Sequence, residues 1–261
     1  MRVFKLFTLM GMFLSSSFAQ NLFTLPYYVN PTYTANIEKT LKQTQNPRIQ
    51  SVLKTIQNIG SAYWIDTKAK VTAPLPNTNT LEGILDDASK KNPVPLVVFI
   101  TYDLPNRDCN AKASNGEICC GPKLPNGQCD YSKSGDCSTG LNEYKKEYID
   151  KIVAVIKKYN NRVPMVSVIE PDSLPNLVTN IGNPACTNSV IAYKEGIKYV
   201  VEQYSLHAPK VQLYLDAGHG GWLGWENNAH GFQKIVQELK AGYQSFLKNN
   251  IGDDIKSGTA L

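Results

Sequence analysis

The sequence predicts an α/β fold built on parallel strands. Three apolar runs carry that expectation: VPLVVFITYD (Val94–Asp103), VSVIEPD (Val166–Asp172) and VQLYLDAG (Val211–Gly218). Their apolar residues are continuous rather than alternating, which is the pattern of strands buried on both faces. Segments of helical period separate them, and strand alternating with helix is the signature of a parallel sheet. Each run also reaches an aspartate in a turn rich in Gly, Pro, Ser or aromatic residues, the first running on from Asp103 to Asp108. Parallel strands bring their C-terminal ends to one face, where such folds build their sites. Three carboxylates delivered in this way suggest chemistry that uses carboxylic acids.

Taken in order, Pro26–Pro31 reads as an extended, aromatic lead-in. Asn36–Ile59 has helical spacing through Leu41, Ile49, Leu53 and Ile56, and Pro47 splits it in two. Gly60 closes that segment, and Ser61–Asp66 is a short strand carrying Trp64. Leu81–Lys91 is a helix running directly into the strand Val94–Tyr102. Asn106–Gly140 has little periodicity and is rich in Gly, Asn, Ser and Cys; so long a stretch in a compact domain is functional or stapled. Helix Leu141–Tyr159 follows, with Tyr144, Tyr148, Ile152 and Val155 on one stripe. Strand Val163–Glu170, helix Ser189–Tyr204, strand Val211–Asp216 and helix Gly231–Lys248 complete the series. About four core strands are too few to close a barrel.

The composition bounds the function. The 261 residues suffice for one sizeable domain or two small ones, and 42% hydrophobic with 19% charged residues is a globular balance. Arg2 and Lys5, the apolar run Leu6–Leu14 and Ser17-Phe18-Ala19 read as a secretory signal covering residues 1–19, cleaved before Gln20. That run is far short of the roughly 20 apolar residues of a membrane span. Loss of Arg2 and Lys5 lowers the formal charge from +5 to +3, and no Lys/Arg cluster points to nucleic acid. Of the six cysteines, Cys119, Cys120, Cys129 and Cys137 crowd one segment but lack the paired spacing of zinc modules, so in an oxidising compartment all six read as disulfides, Cys109 with Cys186 and the other four among themselves. Their connectivity is not fixed by sequence.

Three motifs carry the chemistry. In Tyr102-Asp103-Leu104-Pro105-Asn106-Arg107-Asp108-Cys109, Arg107 can hold a neighbouring carboxylate ionised; an incidental surface ion pair is the plainer alternative. In Glu170-Pro171-Asp172-Ser173, two acids bracket a proline at a strand end, so at least one is poorly solvated. Burial and a nearby carboxylate both raise a carboxyl pKa and make a proton donor near neutral pH. The alternative is that Asp172 simply caps the next helix. In Asp216-Ala217-Gly218-His219-Gly220-Gly221-Trp222-Leu223-Gly224-Trp225, the glycines admit close approach of a ligand and the tryptophans offer flat faces for sugar rings. A metal at Asp216 and His219 lacks a third ligand at suitable spacing.

In this order and spacing the motifs resemble glycoside hydrolase family 6, the secreted cellulases that include cellobiohydrolase II and related endoglucanases. The resemblance runs from about Tyr27 to Trp225. It implies a distorted, TIM-like parallel β/α barrel, of which residues 20–261 supply the N-terminal part of the catalytic domain. It implies Asp172 as proton donor and Asp108 as the aspartate that tunes it and steadies an oxocarbenium-like transition state. Tyr102 lies near the distorted sugar, Arg107 binds the carboxylates, and Ser114 sits on a mobile loop near the attacking water. Trp64 and Asp66 contact sugar on the non-reducing side of the cut, while Asp216, His219 and Trp222 contact it at and beyond the cut. Cys109 and Cys186 match a family disulfide. The reaction is inverting: water attacks the face opposite the protonated leaving oxygen.

The resemblance therefore implies a secreted, extracellular, monomeric hydrolase of β-1,4-glucan such as cellulose, with no cofactor, metal, nucleic acid or membrane partner. The family continues past the region matching Lys248 into the remaining strands, and an open parallel sheet leaves edges bare. The chain is thus expected to be unstable alone or to be an incomplete gene model. Ile118–Thr139 departs from the family and is expected either to brace an active-site lid or to be a tolerated surface insertion. A non-catalytic glucan-binding protein is the reading from another class, and an unrelated metal-dependent β/α hydrolase is a third. Endo- or exo-action, and the base, stay open.

Overall fold

The computed structural model describes residues 21–133 and 136–251. The expected signal peptide and the tail beyond Ile251 lie outside the described residues. The first α-helices among the described residues are α1 (Pro31–Gln43) and α2 (Pro47–Ile56). Each begins the same way: an asparagine, Asn30 or Asn46, accepts a hydrogen bond from an N–H of the first turn, and proline occupies the first helical position. Pro47 therefore starts a helix, as the split of Asn36–Ile59 required. The first helix starts earlier than its spacing suggested because the Asn30-Pro31 pair is itself a start signal.

Four strands follow, β1 (Tyr63–Ile65), β2 (Val97–Thr101), β3 (Met165–Ile169) and β4 (Gln212–Leu215). They form one sheet in the order β1-β2-β3-β4, every pair parallel. Helix α3 (Leu81–Ala88) lies between β1 and β2, and its cap Thr80 accepts from Gly83 N–H. Between β2 and β3 runs a continuous helical stretch of α4 (Ser138–Glu143), a π-helical segment (Tyr144–Ile149) and α5 (Asp150–Tyr159). Between β3 and β4 come α6 (Ser173–Thr179), α7 (Pro184–Thr187) and α8 (Val190–His207). After β4 the chain forms α9 (Gly220–Leu223) and α10 (Glu226–Ile251).

The two faces of the sheet differ. Ile65, Phe99, Thr101, Ser167 and Ile169 are sealed, and the Thr101 hydroxyl lies 3.1 Å from both the Ser167 hydroxyl and the α8 Tyr204 hydroxyl. The expected tyrosine stripe also holds: Tyr144, Tyr148, Ile152 and Val155 are all buried. On the opposite face the register aligns Trp64, Ile100, Val168 and Tyr214 across all four strands. Trp64 is 43% exposed and Tyr214 44%, with Phe23 packed edge-on against Tyr214 at 5.8 Å. The expectation that all three apolar runs are buried on both faces thus holds for β2 and β3. It fails for β4, an edge strand that lacks a neighbour on its far side among the described residues.

Candidate active site

The C-terminal ends of β2, β3 and β4 deliver the three acidic turns to one rim. Asp172 follows β3 with a left-handed backbone (φ 66°) at the start of α6, and its side chain makes no capping bond. Capping thus does not account for Asp172. Its N–H donates instead to Asp216 Oδ2 at 2.8 Å, and Gly218 N–H donates to the same oxygen at 3.2 Å. The Asp172 carboxyl is raised above its ordinary range, first by the protein packed around it, then by the charges of Asp216 and Asp108, with His219 opposing. The structure therefore gathers Asp108, Asp172, Asp216 and His219.

Asp108, also left-handed at φ 53°, turns its carboxylate onto the loop behind it, where Oδ2 accepts from Ser114 N–H at 2.8 Å. Ser114, an exposed residue, accepts from Arg107 Nε through its carbonyl at 2.8 Å. Arg107 is nearly sealed. It spans the loops by donating to the carbonyls of Tyr102, Asp66 and Ser114, and its guanidinium lies 4.6 Å from the centre of the Tyr102 ring. Its ion pair is with Asp103 at 3.3 Å, not with Asp108 or Asp172 as the resemblance implied. The reason is local: the left-handed turn swings Asp108 away, while the four-residue spacing places Asp103 under the guanidinium.

Asp103 and Glu170 are residues the sequence reading left without a role. Both are buried at strand ends. Glu170 Oε1 accepts from Asp103 N–H at 3.1 Å and from Tyr144 Oη–H at 2.7 Å, and Oε2 from Leu104 N–H at 3.3 Å. Burial pushes its carboxyl up to about 7 against those three donors. Asp103 is pushed up to about 9, chiefly by burial, with Arg107 pulling the other way; its Oδ1 faces the guanidinium and its Oδ2 has no hydrogen-bond partner. Of the two acids around Pro171, Glu170 is the more deeply buried.

The aromatic and polar contacts fall on either side. Trp64 meets Tyr102 edge-on at 5.3 Å, and Asp66 pairs with Lys70 at 2.6 Å. His219 Nδ1 accepts from Gly221 N–H at 3.1 Å to cap α9, and its ring lies 6.0 Å from that of Trp222. Trp222 Nε1–H donates to the Thr179 hydroxyl. Among the described residues no three His, Cys, Asp or Glu side chains converge as metal ligands.

Three disulfides join Cys109 to Cys186, Cys119 to Cys129 and Cys120 to Cys137. The first ties the Asp108 turn to α7. The other two lie in Ile118–Thr139, the segment expected to depart from the family, and its contacts brace the loop. Tyr131 Oη–H donates to Arg107 O at 2.6 Å, Asn106 Oδ1 accepts from Cys120 N–H at 2.9 Å, and Asn106 N–H donates to Ile118 O at 3.0 Å.

Residues 24–248 match the family described as glycosyl hydrolases family 6. Exoglucanase 3 of Agaricus bisporus is 41% identical over 212 residues, 81% of this chain and 42% of that protein. Exoglucanase A of Cellulomonas fimi is 37% identical over 246 residues, 90% of this chain and 26% of that protein. Among solved structures, the catalytic domain of Cellulomonas fimi Cel6B superposes with a TM-score of 0.71 at 34% identity, over 84% of this chain and 47% of that one. Humicola insolens cellobiohydrolase II, in complex with glucose and cellotetraose, gives 0.68 at 28% identity, over 87% and 56%. The chain thus spans well under two thirds of the length of each of these relatives.

Proposed function

The chain belongs to glycosyl hydrolases family 6, and from that premise we propose that it acts as a secreted hydrolase of β-1,4-glucosidic bonds in cellulose and related glucans. Asp172 is the proton donor in this reading. The observation that carries it is the raised Asp172 carboxyl, crowded by Asp108 and Asp216 where three parallel strands end. A carboxyl raised in this way is a better proton donor, and it can give its proton to the glycosidic oxygen as the bond to the anomeric carbon breaks. Water then attacks the opposite face and gives up a proton, inverting the configuration. Asp108, whose Oδ2 holds the Ser114 loop, acts in this reading through its charge, which raises the Asp172 carboxyl and opposes the positive charge that develops on the sugar ring.

Tyr102 and Trp64, edge to face, offer an apolar wall for the sugar ring, with Asp66 beside it. Asp216, His219 and Trp222 hold the glucan on the far side of the donor. Arg107 acts by positioning, since it fixes the Tyr102 ring and the Ser114 loop from below. The relatives named exoglucanases, and the Humicola insolens enzyme solved with cellotetraose, support a glucan as substrate. The test is release of reducing ends from a soluble β-glucan. The chain is expected to hydrolyse it, and Asp172→Asn to lower kcat about 10²- to 10⁴-fold while cellotetraose still binds. Binding without any hydrolysis by the unaltered chain would overturn the catalytic reading in favour of a glucan-binding one.

A further inference from the structure

The loop that carries Ser114 is also held from a side that the site above does not use. Glu117, at the foot of the loop, reaches the segment that leaves β1, where its Oε1 accepts from Lys68 N–H at 2.6 Å. Lys68 opens a 3₁₀ turn, Lys68–Lys70, just after Trp64 and Asp66. Its side chain runs on to α4, where Nζ donates to Glu143 Oε1. The N-cap of α4 is Cys137, one end of the Cys120–Cys137 disulfide. One residue thus joins three segments: the exit of β1, the Ser114 loop and the stapled helix. Burial disfavours the Lys68 ammonium, but Glu143, then Glu117 and Asp103, raise it above its ordinary range, so the charge is kept.

We infer that Lys68 is a positioning residue: bound to Glu117 and Glu143, it clasps the Ser114 loop to the β1 exit and so fixes the Asp108 carboxylate that the loop holds. The need for such a tie follows from how the loop is built. Residues 111–114 at its tip are exposed. Ser114 is gripped by Asp108 and Arg107, which belong to the same stretch of chain, so the whole turn can shift as a unit unless it is tied from outside. Gly116 leaves no slack on the inner side, since a Cβ there would stand 3.1 Å from Arg107 Nε and from Asp103 Oδ1. Two outside ties run to the β1 exit: Arg107 donates to Asp66 O at 2.6 Å, and Lys68 donates to Glu117. Lys68 alone carries the tie onward to α4 through its ion pair.

The catalytic consequence rests on the hydrolase reading above, and the experiment separates the two. Trypsin is applied to the full chain, and cleavage after Lys112, at the exposed tip, is followed by mass relative to the other cleavage sites. Lys68→Met and Glu143→Ala cut the same ion pair from its two ends. Each is expected to speed that cleavage about two- to fivefold, the scale of a part-exposed pair, and the double variant no further. On a soluble β-glucan each is expected to lower kcat about threefold with KM unchanged, because neither side chain meets the sugar. Lys90→Met, which removes a surface pair with Asp86, is expected to change neither readout. Cleavage at the unaltered rate in both variants, or effects that add in the double variant, would overturn the clasp. An unchanged kcat, or a KM that rises as kcat falls, would overturn its positioning role. If the unaltered chain hydrolyses no glucan, the hydrolase reading fails and the trypsin rates alone decide the clasp.

Discussion

Replacing Glu170 by Gln is expected to remove a pH-dependent loss of stability built into the base of the site. Burial raises this carboxyl from 4.5 to about 7 in the folded protein. The folded state therefore holds the proton more tightly than the unfolded chain. Glu170 opposes folding least below about pH 4.5, and stability falls as pH rises toward 7 and levels off above it. Raising this carboxyl from 4.5 to about 7 corresponds to about 3–4 kcal/mol of lost stability at high pH. Asp103, raised to about 9, adds a fall of the same sign that continues to higher pH. Urea unfolding followed by tryptophan fluorescence at pH 5 and pH 8 reads the difference. The unaltered chain should be several kcal/mol less stable at pH 8, and Glu170→Gln should recover about 2–3 kcal/mol of that difference. The variant starts from a lower level, because its amide faces the Leu104 N–H donor-to-donor across 3.3 Å, but the level is not the readout. If the variant keeps the full pH difference, or the unaltered chain is equally stable at both values, the reasoning fails.

Three further outcomes follow from the same geometry. Asp216→Asn keeps an acceptor for the Asp172 N–H but removes one of the two charges that, after burial, raise the Asp172 carboxyl, so the alkaline limb of the kcat/KM profile should move to lower pH. Tyr131→Phe removes the bond to the Arg107 carbonyl and should cost about 1–3 kcal/mol in urea unfolding, with a several-fold lower kcat as the Ser114 loop loosens. Cys109→Ala/Cys186→Ala opens a link across a 77-residue separation and should cost about 4 kcal/mol, read from the urea midpoint.

The parts of this structure written in local pattern were legible in the sequence. The strands, their parallel order and the delivery of acids to one rim follow from continuous apolar runs that end in polar turns. Helices α6 and α7 were hidden because Pro175 and Pro184 break the periodic signal, although Pro184 occupies a first turn where proline is at home. The tyrosine stripe was visible, but not its π-helical turn, which is set by tertiary bonds: Tyr144 reaches Glu170, and Tyr148 takes the N–H of Tyr102 at 3.0 Å. The partner of Arg107 was misread because Asp108 is its chain neighbour, and chain adjacency does not show which way a left-handed residue points. The exposure of β4 was equally invisible, since an apolar run does not say whether a neighbour covers its far side.

Backbone conformation explains why the buried acids sit where they do. Six non-glycine residues are left-handed among those described, and Asn106, Asp108, Glu170 and Asp172 cluster at the ends of β2 and β3. Asn and Asp adopt this region with modest strain, but a glutamate does so rarely, and each such residue costs on the order of 1–3 kcal/mol. That strain persists only where surrounding contacts overdetermine it. Glu170 supplies them itself: its carboxylate takes the N–H groups of Asp103 and Leu104, while its own N–H donates to Thr101 O at 2.8 Å, so the ends of β2 and β3 are locked together from one residue. The same lock turns Asp172 outward at the rim and holds the strand that leads to Tyr102 and Arg107. Asp172 can thus stand at the cleft with neither cap nor salt bridge, because the rigidity it needs is supplied one layer below by an acid that never meets solvent.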